Sequence, residues 1–205
     1  MSLKIYGIAA SRAIRPLWAA EELGIPYEHI RLHYNAPETR EAPYLALNPN
    51  GTVPAIDDDG LVLFESLAIT LHLARSRPAG GLWASNVADE ARIGQWTLWA
   101  ATEAEPLARQ WFHHTAFLPE AQRIPRLADE ALEKLQARLR VLDEHLATRD
   151  YLVGNGFTVA DLNVAAVLQR LNDMAREAVP YARAWHARCL ARPAAQRAFA
   201  LRQAG

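Results

Sequence analysis

The chain contains a single cysteine, Cys189, among 205 residues. One thiol cannot close an internal disulfide, so nothing asks for an oxidising compartment and the expected location is cytoplasmic. Lysine is nearly missing: Lys4 and Lys134 are the whole supply, and arginine carries the rest of the basic charge. The charges almost cancel, 22 basic residues against 23 acidic ones, and they are interspersed along the chain. That balance leaves no basic stripe for nucleic acid and no cationic face for an anionic membrane. No apolar run is long enough to span a bilayer. The start, Met1–Tyr6, reads as the beginning of a strand and lacks the basic segment and apolar stretch of a signal peptide. No repeat period or low-complexity segment is visible. What is present is a hydrophobic fraction of 51% with 22% charged residues, enough for a core without crosslinks and too apolar for global disorder.

The pattern changes part-way along. Residues 1–78 alternate strand and helix signals. Leu3–Tyr6 predicts a strand, Ile14–Leu23 a helix stopped by Gly24, and Tyr27–Leu32 a second strand. Val53–Ile56 and Leu61–Phe64 predict two more strands around Asp57-Asp58-Asp59-Gly60, a hairpin signal, and Ser66–Arg75 predicts a helix. A strand–helix–strand unit favours a parallel pair, and the hairpin adds antiparallel strands, so the sheet should be mixed. Pro78-Ala79-Gly80-Gly81 breaks this pattern, and residues 79–87 are expected to be a linker. From 88 to 205 the signals are helical. Ala88–Phe117 is one long stretch interrupted by Pro106. Ile124, Leu127, Ala131, Leu135, Leu139, Leu142 and Leu146 form the stripe of an amphipathic helix in a bundle. Thr158–Leu171, Tyr181–Leu190 and a last helix near Pro193 follow.

Three local motifs stand out. In Gly154-Asn155-Gly156-Phe157-Thr158-Val159-Ala160-Asp161, Thr158 can cap a helix and Asp161 can reach back to the Thr158 N–H, a capping box with a structural role. In Asn48-Pro49-Asn50-Gly51-Thr52-Val53-Pro54, two prolines and a glycine fix the path of a loop entering a strand. Pro54 cannot donate a ladder hydrogen bond. A cis Val53–Pro54 peptide would turn the Val53 N–H and C=O outward, where an extended peptide could pair with them. Glu65-Ser66 closes a strand and opens a helix, whose first N–H groups suit a carboxylate while Glu65 suits an ammonium group. Taken singly, these last two motifs are equally ordinary turn and cap chemistry.

Together, the β-α-β and β-β-α half, Asn-Pro-x-Gly-x-Val-Pro, Glu-Ser and the helical half with Thr-x-x-Asp resemble the glutathione transferase family. The resemblance extends to Trp185 and Ala191-Arg192-Pro193 near the end of the chain. It implies a thioredoxin-like, glutathione-binding domain at 1–78, an all-helical domain at 88–205, and a homodimer. It implies that Val53, followed by Pro54, pairs with the cysteinyl backbone of glutathione. Glu65 and Ser66 would hold the γ-glutamyl end, and Arg40 the glycyl carboxylate.

Such a protein must stabilise a thiolate. Glutathione's thiol has a reference pKa of about 8.5, and lowering it by about two units requires about 2.7 kcal/mol. One hydroxyl donor beside a helix N-terminus can supply that. Ser11 is the only hydroxyl in the turn Gly7–Ala13, between the first strand and the first helix, and it is the expected catalytic and thiol-binding residue. Tyr6 and a backbone N–H are the alternatives, and Arg12 could add positive charge. Counted back from Gly24, the family's serine-using classes place their serine at Ala10 and its bacterial cysteine-using class places its cysteine at Arg12, so neither register is met.

The resemblance places the second substrate between the two halves. Trp96, Trp99 and Glu103 recur at helical spacing and Trp111 and Phe112 come later; the aromatic residues could make a wall for a small apolar electrophile, or the tryptophans could be core or dimer contacts. His113-His114 read as solvated and lack the other ligands a metal would need, and Cys189 reads as a small buried hydrophobe. The expected function is conjugation of glutathione to such an electrophile, in the manner of a detoxification enzyme and without a metal. A glutathione-dependent peroxide or disulfide reductase and a non-catalytic regulatory binding protein of the same fold are the rivals.

Overall fold

A computed structural model describes residues 2–203, so Met1, Ala204 and Gly205, the outer ends of the expected domain ranges, lie outside the described residues. By packing, the chain divides into two compact units, Met1–Trp83 with Ala191–Gly205, and Ala84–Leu190.

The first unit is built on strands β1 (Leu3–Tyr6), β2 (Tyr27–Ile30), β3 (Ala55–Asp58) and β4 (Leu61–Phe64), in the order β2-β1-β3-β4. β1 and β2 are parallel, with Leu3 opposite Tyr27, while β1–β3 and β3–β4 are antiparallel. This is the mixed sheet of a thioredoxin-like domain. Helix α1 (Ile14–Leu23) links β1 to β2 and ends at Gly24 in the left-handed region. One-turn α2 (Ala42–Leu45) precedes β3, and α3 (Ser66–Ser76) follows β4. Two strand boundaries differ from the sequence reading. β2 stops at Ile30, because the Leu32 N–H turns back onto the Ile30 carbonyl at 2.8 Å. β3 begins at Ala55 instead of Val53, since Pro54 has no N–H to pair. It runs on to Asp58, so the hairpin turn shrinks to Asp59 (φ 52°) and Gly60 (φ 89°), the two positive-φ positions a tight right-twisted hairpin requires.

The second unit is helical: α4 (Val87–Trp99), α5 (Glu105–Phe112), α6 (Pro125–Leu146), α7 (Val159–Val167), α8 (Leu171–Met174) and α9 (Pro180–Leu190). The long segment around Pro106 is split into two helices, α4 and α5. A wide π-type turn at Ala100–Ala104 carries the chain from α4 into α5, with Pro106 in the first turn where its missing N–H costs least. The α6 stripe is as expected except at its start. Ile124 lies before the helix and is exposed, while Leu135, Leu139 and Leu142 are fully buried. Every residue of α7 is buried, and its two polar members, Asp161 and Asn163, are both hydrogen-bonded. Last in the chain, α10 (Pro193–Ala200) packs on α1 and so groups with the first unit. Among the described residues no helix is long and apolar enough to cross a membrane.

Asp161 holds the second unit together. Fully buried, it accepts hydrogen bonds from the Thr158 N–H (2.9 Å) and hydroxyl (3.1 Å), the Leu152 N–H (2.9 Å) and the Trp185 indole (2.9 Å). The first of these is the capping box; the last two tie α7 to the preceding loop and to α9. Nearby, His186 donates its Nε2–H to the Ala165 carbonyl at 3.3 Å. Burial pushes its imidazole down to about 4 from an ordinary 6.5, against the modest opposing pull of that carbonyl. Between pH 6.5 and about 4 the unfolded chain takes up a proton here that the folded chain refuses. Stability therefore rises with pH across that window and is complete above it. The contribution is about 3 kcal/mol over the full window. Urea unfolding at stepped pH should show this slope, and His186→Leu should flatten it. An unchanged slope in that variant would refute the assignment.

Candidate functional site

The site is built by three adjoining segments of the first unit: the turn after β1, the loop before β3 and the start of α3.

The loop is clamped from inside by Asn48, which is 1% exposed. Its Nδ2 donates to the Thr52 carbonyl (2.6 Å) and hydroxyl (3.2 Å), and its Oδ1 accepts from the Asn50 N–H (3.1 Å) and Nδ2 (3.1 Å). The Tyr44 hydroxyl reaches the same Thr52 carbonyl at 2.7 Å, and burial, followed by the neighbouring Tyr6, pushes that phenol up to about 12. Val53–Pro54 is a cis peptide. Among the described residues the Val53 N–H and C=O meet no hydrogen-bond partner. The Val53 side chain packs with Tyr44 and Ala55, against Tyr6 and Leu32. Tyr6 is half-buried, its ring edge-on to Tyr44 at 6.1 Å. Arg40 lies along the outside of the loop, donating to the Asn50 carbonyl at 3.3 Å. Its Nη1 would stand only 2.4 Å from a Cβ on Gly51, so a side chain there would evict it.

The turn Gly7–Ala13 touches the loop, and α1 just beyond it touches the start of α3. A Cβ on Gly7, at φ 130°, would come within 3.0 Å of the Val53 Cβ, so glycine is what allows β1 to meet the loop this closely. At the other end, Arg15 of α1 donates from Nη1 to the Ser66 hydroxyl at 2.9 Å. Both residues are buried, at 5% and 3% exposure. Because Arg15 fills a lone pair of Ser66, the Ser66 hydroxyl proton remains to be given outward, with a buried cation behind it. Glu65 is exposed and sits at φ 68°, ψ 104°, a strained conformation for a residue with a Cβ. Such strain costs of the order of 1–3 kcal/mol, and strained backbone clusters at active sites and ligand clamps.

Ser11 lies between these contacts. Its hydroxyl donates to the Ile8 carbonyl at 2.7 Å and accepts the Ala13 N–H at 3.1 Å, so its one proton is already committed within the turn. Val53 thus lies against the turn at Gly7, Ser66 is contacted by Arg15 of α1, Glu65 precedes Ser66, and Arg40 borders the loop. Sequence reasoning missed Arg15. The available signal was a lone cation within Ile14-Arg15-Pro16-Leu17-Trp18, where every neighbour is apolar. In the second unit, Trp96 is 6% exposed and packs on Trp99 (5.2 Å) and His145 (4.8 Å), so it belongs to the core, and Glu103 pairs with Arg138 at 2.9 Å.

Comparison with known proteins identifies the family. The family profile described as "Glutathione S-transferase, N-terminal domain" matches residues 1–75, and "Glutathione S-transferase, C-terminal domain" matches 105–193. The chain belongs to the glutathione S-transferase family. It is 34% identical to Glutathione S-transferase 4 of Zea mays, over 96% of this chain and 91% of that protein. A solved structure of the theta class glutathione S-transferase from Xanthomonas axonopodis pv. citri, with glutathione bound, superposes with a TM-score of 0.89. The two are 33% identical, with 96% of each chain covered. The family's reach is broad: Elongation factor 1-gamma 3 of Oryza sativa subsp. japonica is 31% identical over 76% of this chain, which spans only 37% of that protein. Membership in the glutathione S-transferase family therefore sets the fold, and the reaction has to be argued from the site.

Proposed function

We propose that this protein is a transferase that binds glutathione across the turn, loop and α3 start and conjugates its sulfur to a small apolar electrophile. The observation that carries this reading is the α3 entrance, where a buried Arg15 backs a Ser66 hydroxyl beside a strained Glu65. An α-amino-acid end needs an anion site and a cation site side by side, and these residues supply both. The cysteinyl backbone of glutathione pairs with the open Val53 N–H and C=O, Pro54 fixes that edge, and Arg40 receives the glycyl carboxylate. The sulfur is then directed to the turn that carries Ser11. For Ser11 to donate to it, the hydroxyl must leave the Ile8 carbonyl. Catalysis comes from holding the thiolate and aligning the two substrates. Two copies of the chain pair, the exposed Leu61, Val62 and Phe64 of β4 supporting such a contact. The protein works in the cytoplasm. Cys189, the single cysteine, is buried in α9, so any sulfur chemistry belongs to glutathione.

Assay with a halogenated nitroarene and with hydroxyethyl disulfide separates the readings. Conjugation of the nitroarene exceeding disulfide reduction is expected; reduction without conjugation would replace the transferase reading with a redox one.

A further inference from the structure

The turn that carries Ser11 is held from behind by the far end of the chain. Arg202, just past α10, donates from Nε to the Ala9 carbonyl at 3.1 Å, and its guanidinium lies over the Phe199 ring at 4.5 Å. Phe199 in turn meets Trp18 of α1 edge-on at 5.9 Å. Two ion pairs fix the helix that delivers Arg202. Arg192 grips Glu22 with two hydrogen bonds at 2.7 and 2.8 Å, and Arg197 meets Glu21 at 2.6 Å. The contact with Ala9 is therefore the end of a braced arm.

The Ala9 carbonyl shares a peptide plane with the Ala10 N–H. In a trans peptide the two point in opposite directions, so the N–H faces away from Arg202. Ala10 is exposed, and among the described residues no acceptor takes its N–H. Of the nearby donors, the Ile8 N–H goes to the Leu32 carbonyl (3.1 Å), both the Ser11 N–H (2.9 Å) and hydroxyl (2.7 Å) go to the Ile8 carbonyl, and Ala9, unlike Ala10, is buried. A cationic donor on a carbonyl polarises the whole amide and strengthens what its N–H can give.

Accepting that glutathione binds here, we propose that the Ala9–Ala10 peptide, polarised by Arg202, supplies the N–H that stabilises the glutathione thiolate, with Arg202 as a positioning residue. The other titratable and charged groups around the turn are Arg12 within it, Arg15 on α1, Tyr6 on β1, and His29 on β2, whose Nε2 meets the Gly7 carbonyl at 2.8 Å. None of these touches the Ala9 carbonyl in the contacts described.

The test measures the pKa of the bound thiol from thiolate ultraviolet absorbance in the full-length protein, alongside affinity for S-methylglutathione, which lacks the ionisable sulfur. Arg202→Met should raise the bound-thiol pKa by about one unit and cut the conjugation rate at neutral pH about tenfold, with recovery at high pH. S-methylglutathione affinity should stay within about twofold, because the amino-acid contacts are untouched. Arg202→Lys should restore part of the shift, and it carries the same test should Arg202→Met fail to fold. An unmoved bound-thiol pKa in both Arg202 variants would overturn the proposal. Failure of the wild-type protein to bind S-methylglutathione would instead overturn the glutathione reading beneath it.

Discussion

Asp161→Ala should be the most damaging single substitution in the protein, lowering stability by about 4 kcal/mol and the unfolding midpoint by about 10 °C. The alanine leaves the Leu152 N–H, the Thr158 N–H and hydroxyl and the Trp185 indole N–H without their acceptor in a region that is fully buried. Each orphaned buried donor costs about 1–3 kcal/mol, and the losses do not add fully because the site can relax. Burial pushes the Asp161 carboxyl pKa upward, while the backbone, Trp185 and Thr158 hydrogen bonds pull against it. The carboxylate therefore depends on its donors as much as they depend on it. Thr158→Ala removes the cap and one of the four bonds and should cost about 1–2 kcal/mol. Thermal and urea unfolding of the two variants give the comparison. Equal losses would mean that Asp161 is only a helix cap, and the ties to Leu152 and Trp185 would carry no weight.

Ser66→Ala should produce the largest loss of ligand affinity. In the proposed complex Ser66 gives its hydroxyl proton and its N–H to the γ-glutamyl carboxylate, and Arg15 fills its lone pair. A hydrogen bond to a charged group is worth about 1.5–3 kcal/mol, so affinity for S-methylglutathione should fall about 10- to 100-fold. The change also strips Arg15 of its Ser66 contact, so a modest drop in unfolding midpoint should accompany the loss. Arg15→Met tests the same pair from behind. It keeps the volume of the buried side chain, removes the cation, and should weaken S-methylglutathione binding about as much. Calorimetric titration of each variant reads this directly. Wild-type affinity in Ser66→Ala would mean that the γ-glutamyl end binds elsewhere. These effects fall on affinity, whereas the Arg202 effect falls on the sulfur, so the two halves of the site are separable by experiment.

Much of the first unit could be read from local pattern. The bounds of β1, α1 and β4 followed from alternation and from Gly24, and the capping box at Thr158 and Asp161 was legible because all its partners lie within four residues. The start of β3 was misread, because apolar character extends to Val53 while the hydrogen-bonding capacity stops at Pro54. Likewise Ile124 continued the apolar spacing of α6, but helical spacing does not reveal where the helix begins. What the sequence concealed was tertiary. Arg15 meets Ser66 across 51 positions and Arg202 meets Ala9 across 193. No local rule couples residues that far apart. Ser11 shows the same limit at short range. Its hydroxyl was evident, but that its proton is held by the Ile8 carbonyl depends on the shape of an irregular turn ahead of Pro16.

The central claim is that the cis-proline loop, the turn after β1 and the α3 entrance together hold glutathione. The most direct test passes the full-length protein over immobilised glutathione and elutes with the free tripeptide. Retention followed by release with free glutathione is the predicted result, with Ser66→Ala retained poorly. Passage of the folded wild-type protein without retention, or retention that free glutathione does not reverse, would contradict the account.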